Sequence, residues 1–282
     1  MKKSALQILI SICILLFSLE SCKKAEQKSD GEDWSFVVCS DPQQGLGIYS
    51  VLAKEMAEIN PAPKASFCCG DIMLRAGNEG EWINFWKYSE PITELMPLHI
   101  ARGNHDGFGP AAEEMMHTWG RIPGDHLYYS TRVSNASCIV LDCDVTGEEN
   151  SITGEQLIWL HQQLDAATND VETPYIFIFL HKALFSQGLH AGNTIQNNES
   201  LHQLFISHPK VKAVFAGHDH LFNKFYKDGL CYITTGGAGA AIDKGFGGEY
   251  NHFVKVSFFS NPSRINIKTI GLFNEEIEDF DL

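Results

Sequence analysis

The stretch Val211-Lys212-Ala213-Val214-Phe215-Ala216-Gly217-His218-Asp219-His220 is a short apolar run that stops abruptly at two histidines around an aspartate. Apart from Lys212, residues 211–216 are β-branched, aromatic or small, the composition of a strand buried on both faces. Four other runs end in the same way. Ser35–Ser40 leads into Asp41-Pro42-Gln43, Ser66–Cys69 into Gly70-Asp71, Leu98–Ala101 into Gly103-Asn104-His105-Asp106, and Tyr175–Leu180 into His181. In open α/β sheets, ligands sit beyond the carboxyl ends of the strands, so five such strands predict one converged site.

Further strand-like runs lie at Ser137–Leu141, Leu230–Thr234, Phe253–Phe259 and Ile265–Ile270. Helical spacing predicts helices over Gly45–Ile59, through Ile48, Val51, Leu52, Met56 and Ile59, and over Glu79–Ser89, through Trp82, Phe85 and Trp86. A third is expected over Gly154–Ala167, through Leu157, Leu160 and Leu164. The β-α-β order holds to residue 216 and then gives way to consecutive strands. An α/β domain follows, with either a mixed sheet or two sheets packed face to face and flanked by helices. The Gly-rich Gly236–Gly248 is a connector or a substrate-facing loop.

At 282 residues, 44% apolar and 20% charged, the chain has the composition of a globular domain. Lys2 and Lys3 precede an apolar stretch from Ala5 to Leu19, shorter than the roughly 20 residues of a spanning helix, as in a secretory signal. Leu19-Glu20-Ser21-Cys22 resembles a bacterial lipobox, with Glu20 an unusual residue in it. The expected organisation is a lipoprotein signal over 1–21, a lipidated Cys22 with a flexible tether to residue 33, and one domain over 34–282. The protein is then extracytoplasmic and lipid-anchored to a bacterial membrane. Without the leader, 19 basic residues face 34 acidic ones, a balance that repels nucleic acid. Cys39, Cys68, Cys69, Cys138, Cys143 and Cys231 show no CxxC spacing and are expected as buried filler, a disulfide being the alternative.

Each polar segment is weak evidence singly, since an aspartate after a strand often only begins a turn. Together, carboxylates, amides and imidazoles suit Mn, Fe, Zn or Mg, and the lack of a cysteine pair disfavours structural zinc. The ordered set Asp41-x-Gln43, Gly70-Asp71, Gly103-Asn104-His105-Asp106, His181 and Gly217-His218-Asp219-His220 resembles the calcineurin-like metallophosphoesterase signature, over nearly the whole mature chain. The resemblance implies a β-sandwich of two mixed sheets flanked by helices, and two divalent ions. Asp41, Gln43, Asp71 and His220 would hold one ion; Asp71, Asn104, His181 and His218 would hold the other, with Asp71 bridging.

The implied chemistry is hydrolysis of phosphate monoesters or diesters by a metal-activated hydroxide. His105 would be the general acid or a donor to transition-state oxygens, and Asp106 its orienting partner. Arg102 is either a phosphate clamp or an ordinary surface arginine. Gln43 replaces the histidine most members carry, and its amide oxygen shifts preference at that position toward Mn or Mg. A protein that keeps the fold for metal binding or scaffolding, with little turnover, is the alternative. Substrate identity and oligomeric state lie beyond the motifs.

Overall fold

Strand β1 (Trp34–Cys39) is buried along its whole length, as its unbroken apolar composition requires. The computed structural model to which it belongs describes residues 32–282. In parallel beside β1 lies β2 (Ser66–Cys68), and beside that β3 (Leu98–Ile100). On the other side the sheet continues antiparallel through β10 (His252–Ser260), β11 (Ser263–Gly271) and β12 (Glu276–Asp281).

The second sheet has the order β4 (Tyr129–Val133), β5 (Ala136–Val140), β6 (Tyr175–Phe179), β7 (Val211–Ala216), β9 (Leu230–Thr235) and β8 (Phe222–Lys227). Strands β5, β6, β7 and β9 are parallel, and both edge strands are antiparallel. The fold is therefore α/β, with two mixed sheets flanked by helices.

The alternation of side chains along β6 shows why the sheets stack. Phe177 and Phe179 point into the space between the sheets, where Phe67 stacks on Phe179 with ring centroids 4.0 Å apart and Phe36 meets Phe177 edge-on at 5.1 Å. Their neighbours Ile176 and Ile178 point the other way. There they join Leu160 and Leu164 of α4 (Gly154–Asn169) and Phe205 of α5 (Asn198–Ile206). The first sheet is backed by α1 (Leu46–Ala57) and α2 (Glu79–Thr93), whose Tyr49 and Phe85 rings stack at 5.3 Å. A short α3 (Pro110–Thr118) follows β3. Interdigitating aromatic faces of this kind dominate the hydrophobic stabilisation of a sandwich core.

The six cysteines of the described residues are buried and free, the filler expected of them. Glu32 and Asp33, the last two residues of the expected tether, are held against the sheet. Glu32 accepts hydrogen bonds from Lys255 Nζ and Ser257 Oγ, and the Asp33 N–H donates to the Phe258 carbonyl at 2.8 Å, so both residues pair with β10. The signal expected over 1–21 and the lipidation expected at Cys22 fall outside the described residues. Among the described residues no helix is long and apolar enough to cross a membrane.

Candidate metal centre

β1, β2, β3, β6 and β7 each end two to four residues before a candidate ligand, and the loops that follow them meet. Asp41 (φ 59°), Asp71 (φ 54°) and His218 (φ 72°) all adopt left-handed backbone conformations. Such conformations cost about 1–3 kcal/mol each for non-glycine residues and persist where the surroundings dictate them, as at functional sites. Gly103 explains how the β2 and β3 turns come so close. A Cβ there would lie 2.2 Å from both the Asp71 nitrogen and Asp71 Oδ1.

One half of the centre gathers around His181. Its Nδ1–H donates to the Cys69 carbonyl at 2.8 Å, which leaves the Nε2 lone pair facing inward. Around Nε2 stand Asn104 Oδ1 at 3.0 Å, His218 Nδ1 at 3.2 Å and Asp71 Oδ1 at 3.4 Å. In the other half, His220 donates its Nδ1–H to the Ala241 carbonyl at 3.0 Å and turns Nε2 toward Asp41 Oδ1 at 3.5 Å. Asp71 spans the halves: Oδ1 accepts from the His105 N–H at 2.9 Å, and Oδ2 accepts from Gln43 Nε2 at 2.9 Å.

Two buried oxygens here, Asp41 Oδ1 and Gln43 Oε1, have no hydrogen-bond partner. Unmatched buried acceptors are costly in a folded protein unless a ligand meets them, and oxygen donors in this setting suit a hard divalent ion. Asp71, His181 and His218 form one cluster able to hold a metal, and Asp41, Asp71 and His220 form another. The donor set therefore fits divalent metal on each side of Asp71.

Electrostatics agree with that fit. Burial, and then the charge of Asp41, raises the Asp71 carboxyl to about 8. His220 reaches about 9 although burial opposes its protonation, because the Asp41 carboxylate, 3.5 Å from its Nε2, outweighs it. Burial, with the field of His181, pushes His218 down to about 2. Asp41 and Asp71 thus crowd two carboxylates into one buried pocket, which is the condition a dication relieves.

Expected and observed roles part at three places. The Asp106 carboxylate makes no hydrogen bond to the His105 ring. It accepts from the backbone N–H groups of Gly103, Asp71, Ile72 and Met73 at 2.8–3.1 Å, so it shapes the β2 and β3 turns instead. His105 is oriented by the Leu74 carbonyl, 3.0 Å from Nδ1. Arg102 is neither a clamp nor a surface residue. It is fully buried and paired with Asp142.

The Gly-rich segment proves to be a brace. Ala241 orients His220, Asp243 accepts from the His220 N–H at 3.0 Å, and a Cβ at Gly236 would meet the Asp219 carbonyl. His252 stays out of the site, bonded to Thr235 Oγ1 and the Tyr250 carbonyl. His190, which belongs to no motif, reaches it: its ring lies 4.4 Å from that of His218, and its N–H donates to Asp219. Asn193, also outside every motif, brings its amide within 3.1 Å of His218 Nε2.

Residues 35–222, two thirds of the chain, match the family model described as calcineurin-like phosphoesterase. The chain belongs to the calcineurin-like phosphoesterase family. Within the family's reach, purple acid phosphatase 22 of Arabidopsis thaliana is 25% identical over 197 residues, covering 60% of this chain and 43% of the relative. The chain thus spans less than half the length of that curated relative. The structure of purple acid phosphatase PPD1 from yellow lupin (Lupinus luteus) seeds superposes with a TM-score of 0.74 at 16% identity, covering 89% of this chain and 54% of that one. A dimetal phosphatase from Danio rerio superposes with a TM-score of 0.64 at 15% identity, covering 89% and 99%. These likenesses place the calcineurin-like phosphoesterase fold over nearly all of the described residues.

Proposed function

We propose that the chain is a dinuclear metal-dependent hydrolase of phosphate monoesters or diesters. The observation that carries this reading is Asp71, whose two carboxylate oxygens face two separate sets of donors. Asp41, Gln43, Asp71 and His220 would hold one divalent ion; Asp71, Asn104, His181 and His218 would hold the other. Such ions supply Lewis-acid activation of water and neutralise charge on the phosphoryl oxygens. The phosphatase names of the relative and of the structural neighbours support the same chemistry.

The chain's own residues complete the site. His105 is half-buried and held at Nδ1 by Leu74, which leaves Nε2 as the group able to protonate a leaving oxygen. A scaffold that bound metal without turnover would not need this arrangement. The test is hydrolysis of p-nitrophenyl phosphate and bis(p-nitrophenyl) phosphate with Mn, in wild type and Asp71→Asn. Metal-dependent turnover that the substitution abolishes is expected. Absence of turnover on both esters, or an unaffected variant, overturns the reading in favour of a metal-binding protein.

We further infer that Cys22 carries a lipid that anchors the domain on the extracytoplasmic face of a bacterial membrane, from the leader and lipobox pattern alone. In cells, wild type should fractionate with membranes and Cys22→Ala with the soluble material. Equal partitioning of the two removes the anchor.

A further inference from the structure

We propose that Asp142 and Asp144, on the loop after β5, are positioning residues that lock the Asn104 and His181 turns at the spacing a shared cation needs. β5 delivers no candidate ligand, yet its carboxyl end lies beside that of β6. The inference rests on the dinuclear reading for its purpose, but its geometry is independent of that reading.

Arg102 directly precedes Gly103-Asn104, and its side chain has no solvent exposure. Its Nε and Nη2 donate to the two oxygens of Asp142 at 3.0 and 2.7 Å, and Nη2 also reaches the Asp144 carbonyl. Lys182 directly follows His181 and is 3% exposed. Its Nζ donates to Asp144 Oδ1 at 2.5 Å and to Asn150 Oδ1 at 2.6 Å. Two cations flanking candidate ligands, one from each sheet, therefore meet a single three-residue loop.

That loop is itself held firmly. Gln156 of α4 accepts from the Asp142 N–H and donates to the Asp142 carbonyl, both at 2.8 Å, and the Asp144 N–H donates to Asp142 Oδ1 at 3.0 Å. Arg102 is not available to substrate, since its only donor without a hydrogen bond, Nη1, is buried 3.9 Å from Glu113, and the buried Lys182 ammonium is engaged by Asp144 and Asn150. Packed apolar residues would join two sheets at lower desolvation cost than four buried charges. What the charges add is direction: a bidentate fork fixes the rotation as well as the distance of the turn it holds. The outcome at the site is the 3.0 Å separation of Asn104 Oδ1 from His181 Nε2.

The experiment compares the full chain with Asp144→Asn and with the double variant Asp144→Leu/Lys182→Met, which removes both charges together. Calorimetric titration with Mn should show one of two equivalents weakened about tenfold or more in both variants, with the other unchanged. The Tm of the metal-free protein should fall in Asp144→Asn and recover in the double variant. Recovery of Mn affinity along with Tm would reduce the network to fold stability and overturn the proposal. A crystal structure of metal-free Asp144→Asn separates this inference from the functional one. Retention of the 3.0 Å Asn104–His181 spacing overturns the positioning role, whereas wild type that binds no Mn overturns only the dinuclear reading.

Discussion

Gln43 donates its amide Nε2 to Asp71 Oδ2 at 2.9 Å, while the oxygen of the same amide meets no hydrogen-bond partner although it is buried. The carboxylate can accept only the nitrogen end, so Asp71 fixes which end of Gln43 is left for a metal. An amide oxygen in place of an imidazole nitrogen makes that position harder and lowers its advantage for Zn. Apo-protein reconstituted with Mn should therefore turn over an aryl phosphate faster than protein reconstituted with Zn, and Gln43→His should narrow or reverse the ratio. Equal rates with the two metals in wild type would remove the role assigned to Gln43.

Gly103 and Gly47 make opposite predictions for the same substitution. In Gly103→Ala the new methyl would lie 2.2 Å from Asp71, with only backbone and the Asp71 carboxylate to yield. A loss of about 1–3 kcal/mol in urea unfolding is expected, together with weakened Mn binding, because Asp71 must move. Gly47→Ala, inside α1 with nothing within 4 Å of the new Cβ, should instead gain up to about 1 kcal/mol from helix propensity and leave Mn binding alone. Gly103→Ala with unchanged metal affinity would contradict the close approach of the two turns.

The residues that carry the centre were legible because a buried strand and a ligand are opposite in chemistry. Phe177–Phe179 and His181 announce each other, as do Val214–Ala216 and His218. The strands that escaped notice, β4, β8 and β12, are all edge strands. Sequences such as Glu276-Ile277-Glu278-Asp279-Phe280-Asp281 are half-solvated and charged, which protects a sheet edge and erases the apolar signal at once. Helices α3 and α5, nine residues each, are too short for a periodic stripe to stand out. Arg102 was ambiguous for a different reason, since its partner Asp142 lies 40 residues away, on a loop that leaves the other sheet. The Leu74 and Ala241 carbonyls leave no mark at all, because any residue supplies a carbonyl.

His252 ties stability to pH away from the metal centre. Burial holds its pKa near 4, against about 6.5 in an unfolded chain, and the Tyr250 carbonyl offsets this only in part. Above pH 6.5 both states are neutral there and no penalty exists. As pH falls from 6.5 to 4 the unfolded chain takes up a proton that the native state refuses, so folding stability drops, by about 3 kcal/mol in all. His252→Gln, which cannot titrate, should start less stable at pH 7 through loss of the Thr235 and Tyr250 bonds, yet decline less on acidification. Parallel stability curves for the two proteins between pH 7 and 4.5, from urea titrations of metal-free samples, would show that His252 carries no such penalty.

The hydrogen bond between His105 and the Leu74 carbonyl constrains what His105 can do in turnover. With Nδ1–H committed to the carbonyl, proton donation must come from Nε2, and the ring must be doubly protonated to provide it. The benefit of such a donor grows with the basicity of the leaving oxygen. His105→Gln should thus lower kcat for an alkyl phosphate by about 10²–10⁴, but cost much less for p-nitrophenyl phosphate, whose leaving group departs without a proton. The substitution should leave Mn affinity within a few-fold of wild type, because the contact of residue 105 with Asp71 is made by its backbone N–H. Equal losses on the two esters would place His105 on the phosphoryl oxygens instead, as a donor to the transition state that acts regardless of the leaving group.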